Sequence, residues 1–514
     1  MAVPASQAAI AAFLASPEGL NPDAPPIETH AAVVFLSGDR ACKMKKAVDL
    51  GFLDFATLEK RKAALEAELT LNCRWAPQLY ERLMPVTRAG DGYALDGDGE
   101  PVEWLLVMRR FAEADVLSNV AARGELDTAM TESLADVARE SHRVAEIDRT
   151  RGGAAAMARV AAINATSLRE AVSRILPASE PERLIESTQA ALARLGPHLD
   201  ARRTQGFVRR CHGDLHLGNI VRIEGRPVLF DCLEFSQDLA TIDVLYDLAF
   251  LLMDLCERGL RPVANVVLNR YLLMEAEGEH AGQVSALVLL PLFLSMRAAV
   301  RAHVNAKMER AKEARDYLAA ASAFLDPPGP RLLAVGGLSG TGKSTLARAL
   351  APEFGPAPGA LLLRSDERRK RLFGRDPLDR LPPEAYTREA SATVYAGLMA
   401  EAEAALAAGH AVVLDAVFAH EDERAAAAEV AARAGVTFAG IWLDAAPEVL
   451  RARVATRVRD ASDADIAVLE RQLSFVERPS DWVRIDAGGT PETARSAARK
   501  ALGEGWFAGS GLSP

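Results

Sequence analysis

The stretch Gly337-Leu338-Ser339-Gly340-Thr341-Gly342-Lys343-Ser344 constrains this chain more than any other. It fits G-x-x-x-x-G-K-[ST], a loop whose chemistry requires a buried strand before it and a helix start after it. Both flanks comply. Leu332-Leu333-Ala334-Val335 is an apolar run of strand length, and Thr345 to Leu350 continues as a helix. Glycines let successive backbone N–H groups turn inward around phosphate oxygens, and the helix N-terminus adds a favourable dipole. Gly337, Leu338, Ser339, Gly340, Thr341, Gly342, Lys343, Ser344 and Thr345 are therefore assigned to a nucleoside triphosphate. Lys343 is expected on the β- and γ-phosphates and the Ser344 hydroxyl on Mg²⁺.

The residues after the loop alternate in type. Ala360 to Leu363, Val412 to Asp415 and Phe438 to Asp444 are short apolar runs, with helical stretches between them, including an alanine-rich one at 421–434. That order predicts a parallel sheet covered by helices on both faces, with ligands at the carboxyl ends of the strands. Asp415 ends one of these strands. It reads either as the carboxylate that orders Mg²⁺ through water or as a helix cap. Asp366 and Arg369 form a D-x-x-R pair just past another strand end, in a run of charges that also suits an exposed helix start. Arg453 and Arg457 stand four apart in a helical stretch and so share one face.

The first half reads differently. Met1 to Ser16 carries an apolar helical stretch, followed by the proline-rich Asn21 to Pro26. Ala31 to Leu36 and Ala41 to Lys45 predict two strands joined by a turn at Gly38. Lys43 and Lys45 have the same parity and point to one face. Leu58 to Leu71 predicts a charged helix containing Glu59, Glu66 and Glu68, and Trp104 to Met108 a further strand. From about residue 113 to 205 the pattern is helical. Then comes His212-Gly213-Asp214-Leu215-His216-Leu217-Gly218-Asn219, followed by the apolar Pro227 to Phe230 and Asp231. Two carboxylates and an amide in this order suit phosphoryl transfer. Asp214 would orient an acceptor hydroxyl, while Asn219 and Asp231 would hold Mg²⁺ against phosphates. Asp238, Asp243 and Asp247 follow and read as structural carboxylates, caps or buried partners.

Bulk properties narrow the class. The chain has 514 residues, 49% of them apolar and 25% charged, with a net charge of −10. Its pI of about 5.6 counts against non-specific nucleic-acid binding, which needs a basic face. Five scattered cysteines without C-x-x-C spacing argue against a disulfide framework or zinc site and suit a reducing cytoplasm. Val284 to Met296, interrupted by Pro291, is short for a bilayer and reads as a core helix. No membrane or targeting segment is expected.

The H-G-D-x-x-x-x-N stretch with Asp231 resembles the aminoglycoside phosphotransferase and choline kinase group. The resemblance extends over about residues 27–320. It implies a bilobal protein-kinase-like fold, in which Lys43 or Lys45 pairs with Glu66 or Glu68. One departure stands out: no glycine-rich loop precedes the first lysine. The second half resembles small P-loop kinases such as polynucleotide kinases, zeta toxins and gluconate kinases, a region of the kind also classed with AAA-family ATP-binding domains. This resemblance implies that Asp366 takes the acceptor proton, Arg369 holds the acceptor, and Arg453 and Arg457 close over the transferring phosphate as a mobile lid. A hexameric AAA ATPase is not expected, since it would need more chain after the loop than these roughly 175 residues and sensor motifs that are not found here.

The expected architecture is two domains of mixed α/β and α+β class. A leader at 1–26 precedes the protein-kinase-like domain at 27–325, a proline-rich linker spans 326–331, and the P-loop NTPase domain covers 332–514. The expected activity is transfer of the ATP γ-phosphoryl to hydroxyls of small molecules, with ATP and Mg²⁺ at two sites. Two rival readings accompany it: an ATP-hydrolysing regulatory protein with a degenerate kinase-like module, and a nucleic-acid 5′-end kinase in the P-loop half, the latter disfavoured by the acidic pI.

Overall fold

The computed structural model describes residues 3–29, 31–49, 54–172, 175–176, 179–273, 282–376, 378–456, 461–476 and 479–507. By contact the chain forms two compact units, residues 1–152 with 203–247, and residues 153–202 with 248–514.

The first unit is built on a six-stranded sheet. Its strands are β1 (Ile27–Glu28), β2 (Ala32–Ser37), β3 (Arg40–Lys45), β4 (Tyr80–Ala89), β5 (Gly92–Leu95) and β6 (Pro101–Arg109), in the antiparallel order β1-β2-β3-β6-β4-β5. Alternation puts Val33, Phe35, Cys42, Met44, Leu105 and Val107 on one face. Ile10 and Leu14 of helix α1 (Ala8–Leu14) pack into that core, so the leader is part of the unit. Gln7 anchors it, donating to the Lys45 carbonyl at 2.9 Å and to Glu103 at 2.7 Å. Helix α2 (Leu58–Asn72) covers the other face, where Leu65 meets Leu106 and Tyr80. A second lobe holds α3 (Thr128–Val144) and two small antiparallel pairs. These are β7 (Val208–Arg210) with β10 (Thr241–Asp243), and β8 (Ile220–Ile223) with β9 (Arg226–Leu229). The β8–β9 turn places Glu224 and Gly225 at φ 51° and 77°, the pair of positive angles that a two-residue hairpin turn requires.

The second unit contains helices Gly153–Val172, most of Ser179–Gln205, α4 (Arg261–Leu273), Leu290–Lys307 and Ala311–Leu325. The helix through Gly282–Lys307 is the one span among the described residues long and apolar enough to cross a membrane, and 78% of that window is buried inside the protein. Pro291 does not break it, because it sits in the first turn after a 3₁₀ segment where an N–H is dispensable. Residues 327–330 have no helix or strand.

A fully parallel sheet follows: β11 (Arg331–Gly337), β12 (Leu361–Arg364), β13 (Val412–Asp415), β14 (Thr437–Asp444) and β15 (Val483–Asp486), in the order β12-β13-β11-β14-β15. Its strand ends present α5 (Lys343–Leu350), α6 (Ser365–Leu372), α7 (Pro447–Thr456) and α8 (Ile466–Phe475). The fold class is the expected one: a kinase-like region and a P-loop region with a covered parallel sheet.

Candidate active sites

In the first unit, the shared parity of Lys43 and Lys45 brings both to one carboxylate. Lys43 Nζ lies 2.7 Å from Glu68 Oε1, and Lys45 Nζ lies 2.7 Å from Glu68 Oε2. Glu66 takes no part. It sits half-exposed, 3.6 Å from Lys62, because two residues turn a helix by roughly 200° and carry it to the opposite face. This corrects the assignment of Glu66 to the cofactor site. Lys43 also reaches Asp231 Oδ1 at 2.7 Å. Lys45 instead reaches Glu234 Oε1 at 2.5 Å, 5.2 Å above the Phe55 ring centre. Burial pushes the Glu68 carboxyl up, but the two lysines outweigh it and hold Glu68 well below the usual range. Burial raises Glu234, with Lys45 opposing. Burial lowers Lys43, and Asp231 and Glu68 more than reverse that.

The loop between β7 and β8 carries the second half of this centre. Asn219 Nδ2 donates to Asp214 Oδ2 at 2.8 Å and to the Asp214 carbonyl at 3.0 Å. Its amide oxygen has no partner among the described residues. His216 Nε2 stands 3.5 Å from the same Asp214 oxygen. His212 is fully buried; its Nδ1 accepts the Asp214 N–H at 3.3 Å and its Nε2 donates to the Phe230 carbonyl at 3.0 Å. Burial lowers its pKa, which keeps the ring neutral and suits that tautomer. Behind it, buried Asp247 accepts the N–H of His212 at 3.1 Å and of Gly213 at 2.9 Å, beside His142 Nε2 at 3.1 Å. Asp247 is thus the structural carboxylate that the sequence suggested. Asp243 caps the next helix through the Leu245 N–H at 2.8 Å, and Asp238 pairs at the surface with Arg151. Asp231 follows β9 at φ 57°, its N–H donating to Tyr80 Oη at 3.0 Å. The Asp214 and Asp231 carboxylates remain 39% and 44% exposed, so this buried scaffold ends in two carboxylates that reach the surface. Asp231 and the unengaged Asn219 oxygen fit a hard cation that prefers oxygen ligands.

In the second unit, Gly342 at φ 85° caps α5 in the left-handed conformation. Gly340 at φ 87° lets the loop pass so close to the Leu450 carbonyl that a Cβ would come within 2.9 Å of it. Lys343 is only 7% exposed, and its ammonium makes no hydrogen bond or ion pair with any described residue. The Ser339 N–H is taken by Gln472 Oε1 of α8 at 2.9 Å, and Thr341 Oγ1 donates to the Leu338 carbonyl at 2.8 Å. Asp415, at the end of β13, accepts Arg364 Nε on Oδ2 at 3.0 Å, while its Oδ1 is buried without a partner. Arg364 Nη2 also donates to Ser344 Oγ at 3.2 Å. A cavity of about 210 Å³ opens beside the loop, lined by Thr341, Gly342, Thr345, Leu443, Arg453 and Gly489.

The remaining expectations for this half meet the geometry differently. Arg453 donates to the carbonyls of Ala487 at 2.8 Å and Gly489 at 2.9 Å, which holds it on the cavity wall rather than over a transferring phosphate. Arg369 is 8% exposed, donates to the Ala385 carbonyl at 2.5 Å and lies 5.0 Å from the Tyr386 ring centre, so its guanidinium is engaged in packing and is not offered to an acceptor. Arg457 lies outside the described residues. Asp366 stands at the start of α6, half-buried, without a hydrogen bond or ion pair to any described residue. Tyr386 is its neighbour: burial raises that phenol, the Asp463 carboxylate that it contacts adds to the shift, and Asp366 adds a smaller push.

Residues 55–283 match the phosphotransferase enzyme family, and residues 332–479 match an AAA domain. A Mycobacterium tuberculosis protein, named uncharacterized protein Rv2004c, is 31% identical over 481 residues, 90% of this chain and 92% of the relative. The chain belongs to that relative's family. Among solved structures, a choline/ethanolamine kinase family protein from Mesorhizobium loti is similar over 60% of this chain and 97% of its own, at 16% identity and a TM-score of 0.33. A sugar kinase from Janibacter sp. covers 36% of this chain and 99% of its own, at 22% identity and a TM-score of 0.28. The chain is a fusion of an aminoglycoside phosphotransferase-like region with a P-loop region that matches an AAA domain, and its activity class is that of a phosphotransferase.

The phosphotransferase-family region contains groups that sequence reasoning passed over. Glu234 stands three residues after Asp231, and the D-x-x-E spacing was the available signal. Tyr80 and His142 had none, since each meets the loop across a long stretch of chain. In the AAA region, Arg364 ends a strand next to the one that Asp415 ends, and two charged residues closing adjacent parallel strands was a signal for their pairing.

Proposed function

We propose that the chain transfers the γ-phosphoryl group of ATP to hydroxyl groups of small-molecule acceptors, with one nucleotide site in each region. The observation that carries this reading is a complementary pair of unmet groups at the P-loop. Among the described residues, the Lys343 ammonium has no protein partner, and the Asp415 Oδ1 is buried without one. A polyphosphate and a hard cation answer those two needs together. Ser344 and Asp415 would hold Mg²⁺ there, as Asn219 and Asp231 would in the first region. Mg²⁺ supplies charge neutralisation on the phosphate oxygens in such sites.

The chain's own groups supply the rest. Lys43, fixed by Glu68 and Asp231, presents a cation to phosphate. Asp214, held by Asn219, is placed to orient an acceptor hydroxyl and receive its proton. In the P-loop region, Asp366, at the start of α6 and without a hydrogen bond or ion pair to any described residue, suits the same role. The cavity walled by Thr345, Leu443 and Arg453 suits the nucleobase side of the nucleotide. The end-kinase reading loses support, because Arg369, one of the two residues that suggested it, is engaged by Ala385 and Tyr386. Nucleic acid is not the acceptor in this reading.

The test is a transfer screen with γ-labelled ATP against sugars, sugar acids, aminoglycosides and RNA 5′ ends, using the full chain, Lys343→Ala and Asp214→Asn. Each substitution should abolish labelling of a different acceptor and leave the other unchanged. ATP hydrolysis that is fast without any acceptor and lost in Lys343→Ala would replace this reading with the ATP-hydrolysing switch.

A further inference from the structure

Arg364 closes β12 and is 3% exposed. It pairs in register with Asp415 on the neighbouring parallel strand. From there its guanidinium meets Asp415 Oδ2 through Nε at 3.0 Å, Ser344 Oγ through Nη2 at 3.2 Å, and Glu367 through Nη1. Two of these three acceptors, Ser344 and Asp415, are the groups assigned to Mg²⁺. A guanidinium cannot shed its charge. A serine oxygen has only two lone pairs, so a donor on one of them leaves a single site for a metal. A guanidinium and a divalent cation that share the same two oxygens in a buried setting would repel.

We propose that Arg364 is a built-in competitor for the metal position and sets the metal dependence of the P-loop centre, an inference that rests on the phosphate-site reading above. With the metal out, the guanidinium neutralises Asp415 and pins the Ser344 hydroxyl, so the loop keeps its shape and the nucleotide phosphates meet no bare carboxylate. When the metal enters, Arg364 gives up Ser344. Glu367, three residues along the chain at the start of α6, retains Nη1 and keeps the guanidinium from leaving the site. Arg364 touches no reacting atom in this scheme and is a positioning residue.

Hydrogen exchange of the peptide spanning Gly337 to Thr345, measured in the full chain with ATP and a Mg²⁺ titration, localises the readout to this centre. Arg364→Met removes the charge and retains most of the volume. Its half-saturating Mg²⁺ should be at least about tenfold below that of the wild type, because the competing charge is gone. With EDTA, the same variant should need about tenfold more ATP for equal protection, because Asp415 then faces the phosphates unpaired. Arg364→Lys, which keeps the charge but loses the planar fork, should fall between wild type and Arg364→Met in both measurements. An unchanged or higher Mg²⁺ requirement in Arg364→Met would overturn the proposal.

Should Arg364→Met fail to fold, a crystal structure of the wild type with Mg²⁺ and a non-hydrolysable ATP analogue decides. Arg364 Nη2 beyond hydrogen-bond reach of Ser344 Oγ supports the proposal. Retention of that bond with the metal on Ser344 refutes it. Absence of nucleotide protection in the wild type at any Mg²⁺ concentration would remove the phosphate-site reading and this inference together. Equal protection curves for wild type and Arg364→Met would remove the inference alone.

Discussion

Asp247→Asn tests whether the loop carrying Asp214 is held from behind. The carboxylate is fully buried and receives two backbone N–H groups at 3.1 and 2.9 Å, with the His142 ring at 3.1 Å. An asparagine of the same shape offers one oxygen and one NH₂, so one of the two N–H groups would face another donor. A hydrogen bond to a charged group contributes about 1.5–3 kcal/mol, and a buried donor left unmet costs about 1–3 kcal/mol. The loop should therefore lose on the order of 3 kcal/mol of local stability, which corresponds to roughly a hundredfold in an opening equilibrium. Amide exchange of a peptide containing His212, Gly213 and Asp214 in the full chain reads that opening without requiring two-state unfolding. Transfer dependent on Asp214 should fall in parallel, while protection of the Gly337–Thr345 peptide by ATP should not change. Asp238→Asn is the control: Asp238 is 67% exposed and pairs with Arg151 at 3.2 Å, which predicts a change under about 1 kcal/mol. Exchange of the His212–Asp214 peptide within threefold of wild type in Asp247→Asn would refute the buttress argument.

Three further outcomes are expected. Glu68→Gln should cost about 3–5 kcal/mol, since it leaves two buried lysines facing a neutral amide, whereas Glu66→Gln should leave the melting temperature and nucleotide affinity unchanged; equal effects from the two would undo the assignment of Glu68. Asn269 accepts the Leu362 N–H at 2.6 Å on the open edge of β12, so Asn269→Leu should raise amide exchange at Leu362 and promote aggregation without altering exchange of the His212–Asp214 peptide, and light scattering on heating would report the aggregation. Burial pushes both His410 and His303 down to about 4. Their folded values lie below the unfolded value near 6.5, so their contribution is fully present above about pH 6.5 and is lost as pH falls towards 4. Melting temperature should therefore drop from pH 7 to pH 5, and His410→Gln should flatten that profile; an unchanged slope would show that other groups set it.

Much of this was legible where a short stretch of sequence carries its own constraint. The P-loop, the strands ending at Asp415 and Asp444, and the hairpin bearing Lys43 and Lys45 each follow from a local pattern: glycines at fixed spacing, apolar runs of strand length, or parity along a strand. The choice between Glu66 and Glu68 was not legible, because both lie on an exposed-looking charged helix and only the direction of packing separates them. The strands Tyr80–Ala89 and Val483–Asp486 were missed as well. The first carries Pro85 and polar residues on both faces, and the second has only one well-buried side chain, Ile485. Arg369 and Arg453 illustrate the opposite failure. A guanidinium near a site was read as aimed at a ligand, whereas carbonyls at nearby chain turns were competing for it. Sequence does not reveal those carbonyls, since every residue has one.

Helix α4 shows how a motif-based division of a chain and a contact-based one come to differ. The phosphotransferase-family match runs to residue 283 and so includes α4, yet α4 packs within the same compact unit as the P-loop sheet. The reason lies in β12, an edge strand whose outward N–H and C=O groups would otherwise be open to another chain. The Asn269 side-chain amide meets both kinds of group, accepting the Leu362 N–H at 2.6 Å and donating to the Ala360 carbonyl at 3.3 Å, as a neighbouring strand would. Asn265 adds a second donor to the same carbonyl at 2.9 Å, and Arg261 binds the Gly355 carbonyl at 2.8 Å. A peptide-like amide on a rigid helix closes the edge without adding a strand. It also fixes Leu362 two residues before Arg364, whose guanidinium reaches Asp415 and Ser344. An edge strand free to slip or recruit a partner would carry that guanidinium away from both oxygens, so the helix that covers the edge also preserves the geometry of the phosphate site. Cutting the chain at the proline-rich segment 326–331 would separate β12 from its cover, which is a physical reason for the two regions to remain in one polypeptide.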